Sequence, residues 1–222
     1  QNAVKQMLYF HPNGKLSFNT PTGKENFDEY IADPNKPVPY TEDVHLGRTR
    51  EYMTDDQRFA ARRTDVMVYQ SDILTEDVTI LGPAFANLFA STTGTDADYV
   101  VKLIDVFPDN QENIYENEKV PMSGYQMLVR GEVMRGRFRN SFEKPEAFTP
   151  NKVEKVRFLL PDVSHTFKKG HRIMIQVQNS WFPLVDRNPQ KFVDIYNAND
   201  ADFQKATHRI YFDQQRPSHV EV

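Results

Sequence analysis

The stretch Tyr99-Val100-Val101-Lys102-Leu103-Ile104-Asp105-Val106-Phe107 is apolar at odd and even positions alike. Side chains alternate between the two faces of a strand, so this run predicts a central strand covered on both sides. Arg172–Gln178, where branched aliphatics alternate with Met and Gln from Ile173 on, predicts a second strand with one face on a core. Further strands are predicted at Val66–Tyr69, Val78–Leu81, Ala84–Ala90, Gln126–Arg139 with a break, Val153–Leu160 and Thr207–Phe212. Leu8-Tyr9-Phe10 and Leu16-Ser17-Phe18 flank Asn13-Gly14, which suits the positive-φ positions of a hairpin turn. Three prolines between Asp33 and Tyr40 remove amide donors, so that segment is expected to run extended over the surface. Thr54-Asp55-Asp56-Gln57 fits a capping box and predicts a short helix over about residues 54–62. Many strands, turns marked by Pro and Gly, and one or two short helices predict an all-β jelly-roll sandwich with long loops, in a single domain over residues 1–222.

Composition narrows the partners. The net charge is −4, with pI near 5.9, and Lys and Arg do not cluster, so no nucleic-acid partner is expected. The chain has no cysteine, which excludes disulfides, thiol nucleophiles and cysteine zinc sites and leaves the compartment open. Apolar runs are only a few residues long, far short of the ~20 a membrane helix needs, and Gln1–Lys5 carries no signal-peptide core. No membrane partner is expected.

Gly-x-Ser-x-Gly, His-Glu-x-x-His, the P-loop and the dinucleotide fingerprint are all absent. No catalytic, cofactor or metal residue is therefore assigned. His165 and His171 flank the turn Lys168-Lys169-Gly170 and could face one another around a metal; the favoured reading is that each is structural. Thr93-Gly94-Thr95-Asp96-Ala97-Asp98 resembles the opening of a calcium loop, although a turn closed by Thr and Asp fits it better. Arg135, Arg137 and Arg139 alternate and should point to one side of a strand. Asp105, with Asp98, is expected to pair with this arginine ladder, because a buried carboxylate needs such a partner; a substrate-carboxylate site is the rival reading. The loop Trp181-Phe182-Pro183-Leu184-Val185-Asp186-Arg187-Asn188-Pro189 holds the only tryptophan. It is either a contact surface, with Trp181, Phe182, Asp186, Arg187 and Asn188 as candidates, or simply packed core.

The chain resembles the C-terminal jelly-roll domain, galactose-binding-domain-like, of a hydrolase family. That family includes α-amino-acid ester hydrolases, glutaryl-7-aminocephalosporanic acid acylase, cocaine esterase and X-prolyl dipeptidyl-peptidases. The resemblance is carried by Gly14–Phe18, Asp33–Tyr40, Asp56–Ala60, Asn87–Asp96, Val101–Val106, Arg135–Arg139, Gly170–Met174 and Phe182–Pro189. It implies that a Ser-Asp-His triad lies in an upstream α/β-hydrolase domain of the same parent chain, and that no residue here is catalytic. The present domain would pack on that hydrolase core, help wall the substrate cleft and contribute to contacts in a homo-oligomeric parent. The resemblance also implies a bacterial parent exported to the periplasm, with the cytoplasm as the alternative. The chain reads as an excised piece; a preceding strand would then be missing, leaving an unpaired sheet edge or an apolar patch. A stand-alone carbohydrate- or ligand-binding jelly-roll module is the alternative from a different class.

Overall fold

The computed structural model describes residues 3–113 and 120–222, so Gln1 and Asn2 lie outside it. Eleven strands follow in chain order: β1 (Met7–His11), β2 (Lys15–Ser17), β3 (Phe27–Ala32), β4 (Val66–Gln70), β5 (Val78–Thr92), β6 (Asp98–Val106), β7 (Gln126–Arg135), β8 (Glu154–Phe167), β9 (Arg172–Gln178), β10 (Ala206–Tyr211) and β11 (His219–Glu221). Their hydrogen-bonded order is β3-β10-β5-β11-β1-β2-β4-β9-β6-β7, with β8 on the other side of β5. The sheet folds over on itself as a jelly-roll sandwich. Inward residues of β5 and β8, among them Leu88, Val156 and Leu160, meet those of β6 and β9, among them Val101, Leu103 and Ile175, in one core.

Local chemistry explains the irregularities. Asn13 and Gly14 both take positive φ, 62° and 66°, and close the β1–β2 hairpin; a Cβ on Gly14 would sit 2.7 Å from the Val68 carbonyl oxygen. The two strands predicted around Gly82 are one strand, β5, because Gly82 adopts φ 113° at a break in the β5–β8 register. Gly82 pairs with Val163 and Ala84 with Leu160, so Pro161 and Asp162 oppose the single residue Pro83 and β8 carries one extra residue. β8 therefore continues seven residues beyond its predicted end. The insertion also moves its inward residues from even to odd positions, from Phe158 and Leu160 to Val163 and Phe167. β7 ends at Arg135, and Gly136–Phe138 forms a 3₁₀ turn.

Three expectations need correction. The helix, α1, covers only Arg58–Ala61, and no capping box forms: the Thr54 hydroxyl donates to the Glu51 carbonyl, while the Gln57 side chain turns into the protein. The 33–40 segment is not a surface run, because Val38 and Tyr40 are buried and hydrogen bonds join it to Ser180 and Phe182. β9 is covered on both faces, with Gln176 and Gln178 as buried as its aliphatics. β1 is flanked by both β11 and β2, and the unpaired sheet edges lie instead on β3, β7 and β8, each with a single neighbour among the described strands. Among the described residues no helix is long and apolar enough to cross a membrane.

Candidate functional site

The central strand β6 is buried along all nine residues, as its two apolar faces require. Tyr99, Val101 and Leu103 enter the main core. The opposite face carries Asp98, Val100, Lys102, Ile104 and Val106. This outer face is roofed by residues 38–61 and by the loop that follows β9: Val100 packs with Tyr40 and Trp181. Lys102 lies under the same roof with no exposed surface. Its Nζ donates to Gln57 Oε1 at 2.9 Å and lies 5.2 Å from the Trp181 ring and 5.7 Å from the Phe59 ring. Burial pushes the Lys102 amine down to about 7, against a weak opposing pull from Asp55.

At the start of β6, two carboxylates and two guanidiniums interlock. Arg137 Nε donates to Asp96 Oδ2 at 2.8 Å, and Arg135 lies 3.4 Å from Asp98. Asn188 Nδ2 bridges both carboxylates, at 3.1 Å to Asp96 and 2.8 Å to Asp98. Burial, reinforced by the neighbouring Asp96 charge, pushes the Asp98 carboxyl up to about 7 in spite of Arg135. The supposed calcium-loop carboxylates thus face arginines, and Asn188, a candidate contact residue, is an internal bridge. The three arginines do not form a ladder on one strand, because Arg137 and Arg139 stand in and after the 3₁₀ turn; Arg139 Nε lies 3.9 Å from Glu154.

Asp105 does not join these arginines. It is seven residues from Asp98, and an odd separation along an unbroken strand puts the two on opposite faces. Its partners are the two histidines considered above for a metal: His165 Nε2 lies 2.8 Å from Oδ2 and His171 Nδ1 lies 2.8 Å from Oδ1. The parity shift after Leu160 is what turns His165 inward to meet it. Among the described residues, no group of three or more His, Cys, Asp or Glu is placed to hold a metal ion. No serine or threonine hydroxyl there is hydrogen-bonded to a histidine side chain.

The roof has a concave outer surface. Three cavities of ≈ 620, 610 and 430 Å³ adjoin along it, and all three are lined by Leu184. The first includes Arg135, Phe142 and Tyr196; the second, Tyr52, Met53 and Trp181; the third, Tyr40, Leu46 and Phe182. Val44 and Leu46 are fully exposed, Phe142 and Tyr196 are largely so, and Met53 is half-exposed. Trp181 itself is only 6% exposed and stacks edge-on with Tyr52. Phe182 and Asp186 face outward, whereas Arg187 ties the loop down by donating to the Pro34 carbonyl at 2.9 Å. Sequence reasoning missed Lys102, Gln57, Tyr52 and Leu46; only Lys102 left a signal, as a charge in a strand apolar on both faces.

Fold and site together define a β-sandwich domain whose buried polar groups hold its own covering layer in place. Residues 1–221 match the X-Pro dipeptidyl-peptidase C-terminal non-catalytic domain, and the chain belongs to that family. It is 31% identical over 199 residues to cocaine esterase from Rhodococcus sp. (strain MB1 Bresler), covering 90% of this chain and 32% of that protein. Among solved structures, it is similar to an aminopeptidase from a marine sediment archaeon, Thaumarchaeota archaeon, with TM-score 0.90 and 45% identity. It is also similar to an α-amino acid ester hydrolase, with TM-score 0.91 and 43% identity. Each comparison covers 98% of this chain and 36% of the other. The chain thus spans about a third of the length of these relatives.

Proposed function

We propose that the chain forms the C-terminal wall of a larger serine hydrolase that cleaves esters or amides or transfers acyl groups, of the α-amino-acid ester hydrolase or cephalosporin acylase type. The triad and oxyanion hole are supplied by an α/β-hydrolase domain of the same parent chain. The roof packs on that domain, helps bound the substrate cleft and takes part in subunit contacts. The observation that carries this reading is the concave face, where Val44, Leu46, Met53, Phe142, Phe182 and Tyr196 stand exposed around three adjoining cavities. Contiguous exposed apolar surface of this kind marks a contact site. Relatives about three times as long support a partner within the same chain. A stand-alone carbohydrate-binding role has less support, because the only tryptophan is too buried to offer a stacking platform.

The test uses the full-length parent protein. Leu46→Asp combined with Phe182→Asp puts charge on the exposed face without touching the core, and is expected to lower kcat/KM on amino-acid esters by about tenfold or more, a ~1.4 kcal/mol effect. The 222-residue chain alone is expected to turn over no p-nitrophenyl ester and to resist serine-hydrolase labelling. Turnover by the isolated chain, or an unimpaired double variant, would overturn the reading.

A further inference from the structure

Lys102 is held in an unusual way. No described carboxylate lies within ion-pair distance, and Gln57 Oε1 is its only described hydrogen-bond partner. Gln176, opposite it in the β6–β9 register, turns its Nε2 to the Gln57 carbonyl oxygen at 3.3 Å and leaves its own buried Oε1 unpartnered. An ammonium enclosed this way is poorly compensated, and water can reach it only if the cover lifts. The cover is thin: a 3₁₀ turn at Glu51–Met53, the single turn of α1, and Trp181. It is tied down by hydrogen bonds to β9 and along one edge: Gln176 Nε2 donates to the Gln57 carbonyl, Gln57 N–H to the Gln126 carbonyl at 3.0 Å, Gln126 N–H to Asp56 at 3.3 Å, Arg58 Nη1 to the Ser123 carbonyl at 3.1 Å, and the Tyr125 hydroxyl to the Thr54 carbonyl.

We propose that Lys102 is a proton-operated latch for this roof: the neutral amine lets residues 51–61 and Trp181 stay seated on β6, and protonation from solvent loosens them. The latch is a property of the chain itself and does not depend on the proposed parent enzyme. Its consequence is that the floor of the concave face changes with pH, since Trp181 and Tyr52 line the cavity above Lys102. The titratable and charged groups on the elements packed around it are Asp55, Asp56 and Arg58 on the roof, Tyr52 beside Trp181, Arg130 and Glu132 on either side of Gly131 in β7, and Asp98 on the same face of β6. Of these, Asp55 is the one whose charge favours the ammonium form.

Trp181 is the only tryptophan and sits against the latch, so its fluorescence reports the event directly. In the 222-residue chain, Trp181 emission is expected to follow a single titration centred near pH 7, the value to which burial brings the amine. Amide exchange over 51–61, corrected for intrinsic rates, should be faster at pH 5.5 than at pH 8.5. Lys102→Met should abolish both effects and keep the segment protected throughout. Gln57→Glu, which gives the ammonium a carboxylate, should move the midpoint upward and remains informative if the methionine variant fails to fold. A pH-independent wild type, the same transition in Lys102→Met, or an unmoved midpoint in Gln57→Glu would each overturn the proposal.

Discussion

The two faces of β6 solve the same problem, burial, in opposite ways. Toward the main core, Tyr99, Val101 and Leu103 meet aliphatics from the facing strands, and stabilisation follows from apolar area removed from water. Toward the roof, the same strand presents Asp98 and Lys102, and loops rather than a sheet cover them. Asp98 meets Arg135 and Asn188, whereas Lys102 meets only Gln57 and two rings. A sheet buries what strand periodicity puts on it. A loop cover buries polar groups only where particular residues reach them, so the roof is the conditional part of the molecule and the core the unconditional part.

That contrast breaks first on Leu103, which is fully buried on the core face. Leu103→Ala is expected to destabilise the chain by about 2–5 kcal/mol through lost transfer energy and a residual cavity. Urea unfolding measures it, and a loss under ~1 kcal/mol would show the core face to be as adaptable as the roof.

A smaller loss is expected at the end of the core, where Asp105 accepts hydrogen bonds from His165 and His171. Asp105→Ala leaves both ring donors without an acceptor and should cost about 2–3 kcal/mol, softened because His165 is partly open to water. An unchanged melting temperature would mean that water replaces the carboxylate entirely.

How far these regions were legible follows from the same division. β9 was readable to the residue because Ile173, Ile175 and Val177 alternate against a sheet. The hairpin at Asn13-Gly14 was readable because only a few residues tolerate two successive positive-φ positions. β3 escaped because Asp28 and Glu29 dilute the strand signal on a single-neighbour strand, and β11 because three residues hold no period. The pairing of Asp105 with His165 was hidden by the one-residue bulge at Pro161-Asp162, which reverses the facing of everything after it on β8. The roof left least trace. Its contacts join segments far apart in the chain, such as Val38 with Ser180 and Val100 with Tyr40 and Trp181, and no local pattern encodes them.

The smallest expected effect separates the faces by sign. Replacing Lys102 with methionine keeps the volume and removes the poorly compensated charge, so Lys102→Met should gain about 1–2 kcal/mol at pH 7, where Leu103→Ala loses stability. The pH profile sharpens this. The folded-state value for Lys102 is lowered to about 7, whereas an unfolded lysine titrates near ~10.4. Between these values the unfolded chain binds more protons than the folded one, so stability rises with pH, by up to ~1.4 kcal/mol per unit. Below pH 7 the two other strongly shifted groups oppose each other: Asp98, raised to about 7, makes stability fall as pH rises, and His208, lowered to about 3 by burial, makes it rise. Above pH 10, Tyr30 and Tyr69, both pushed up by burial, reverse the trend. The window from 7 to 10 therefore belongs to Lys102. Urea midpoints measured at pH 7, 8 and 9 should climb in the wild type and stay level in Lys102→Met. Parallel slopes in the two proteins would place the charge-sensitive region somewhere other than beneath the roof.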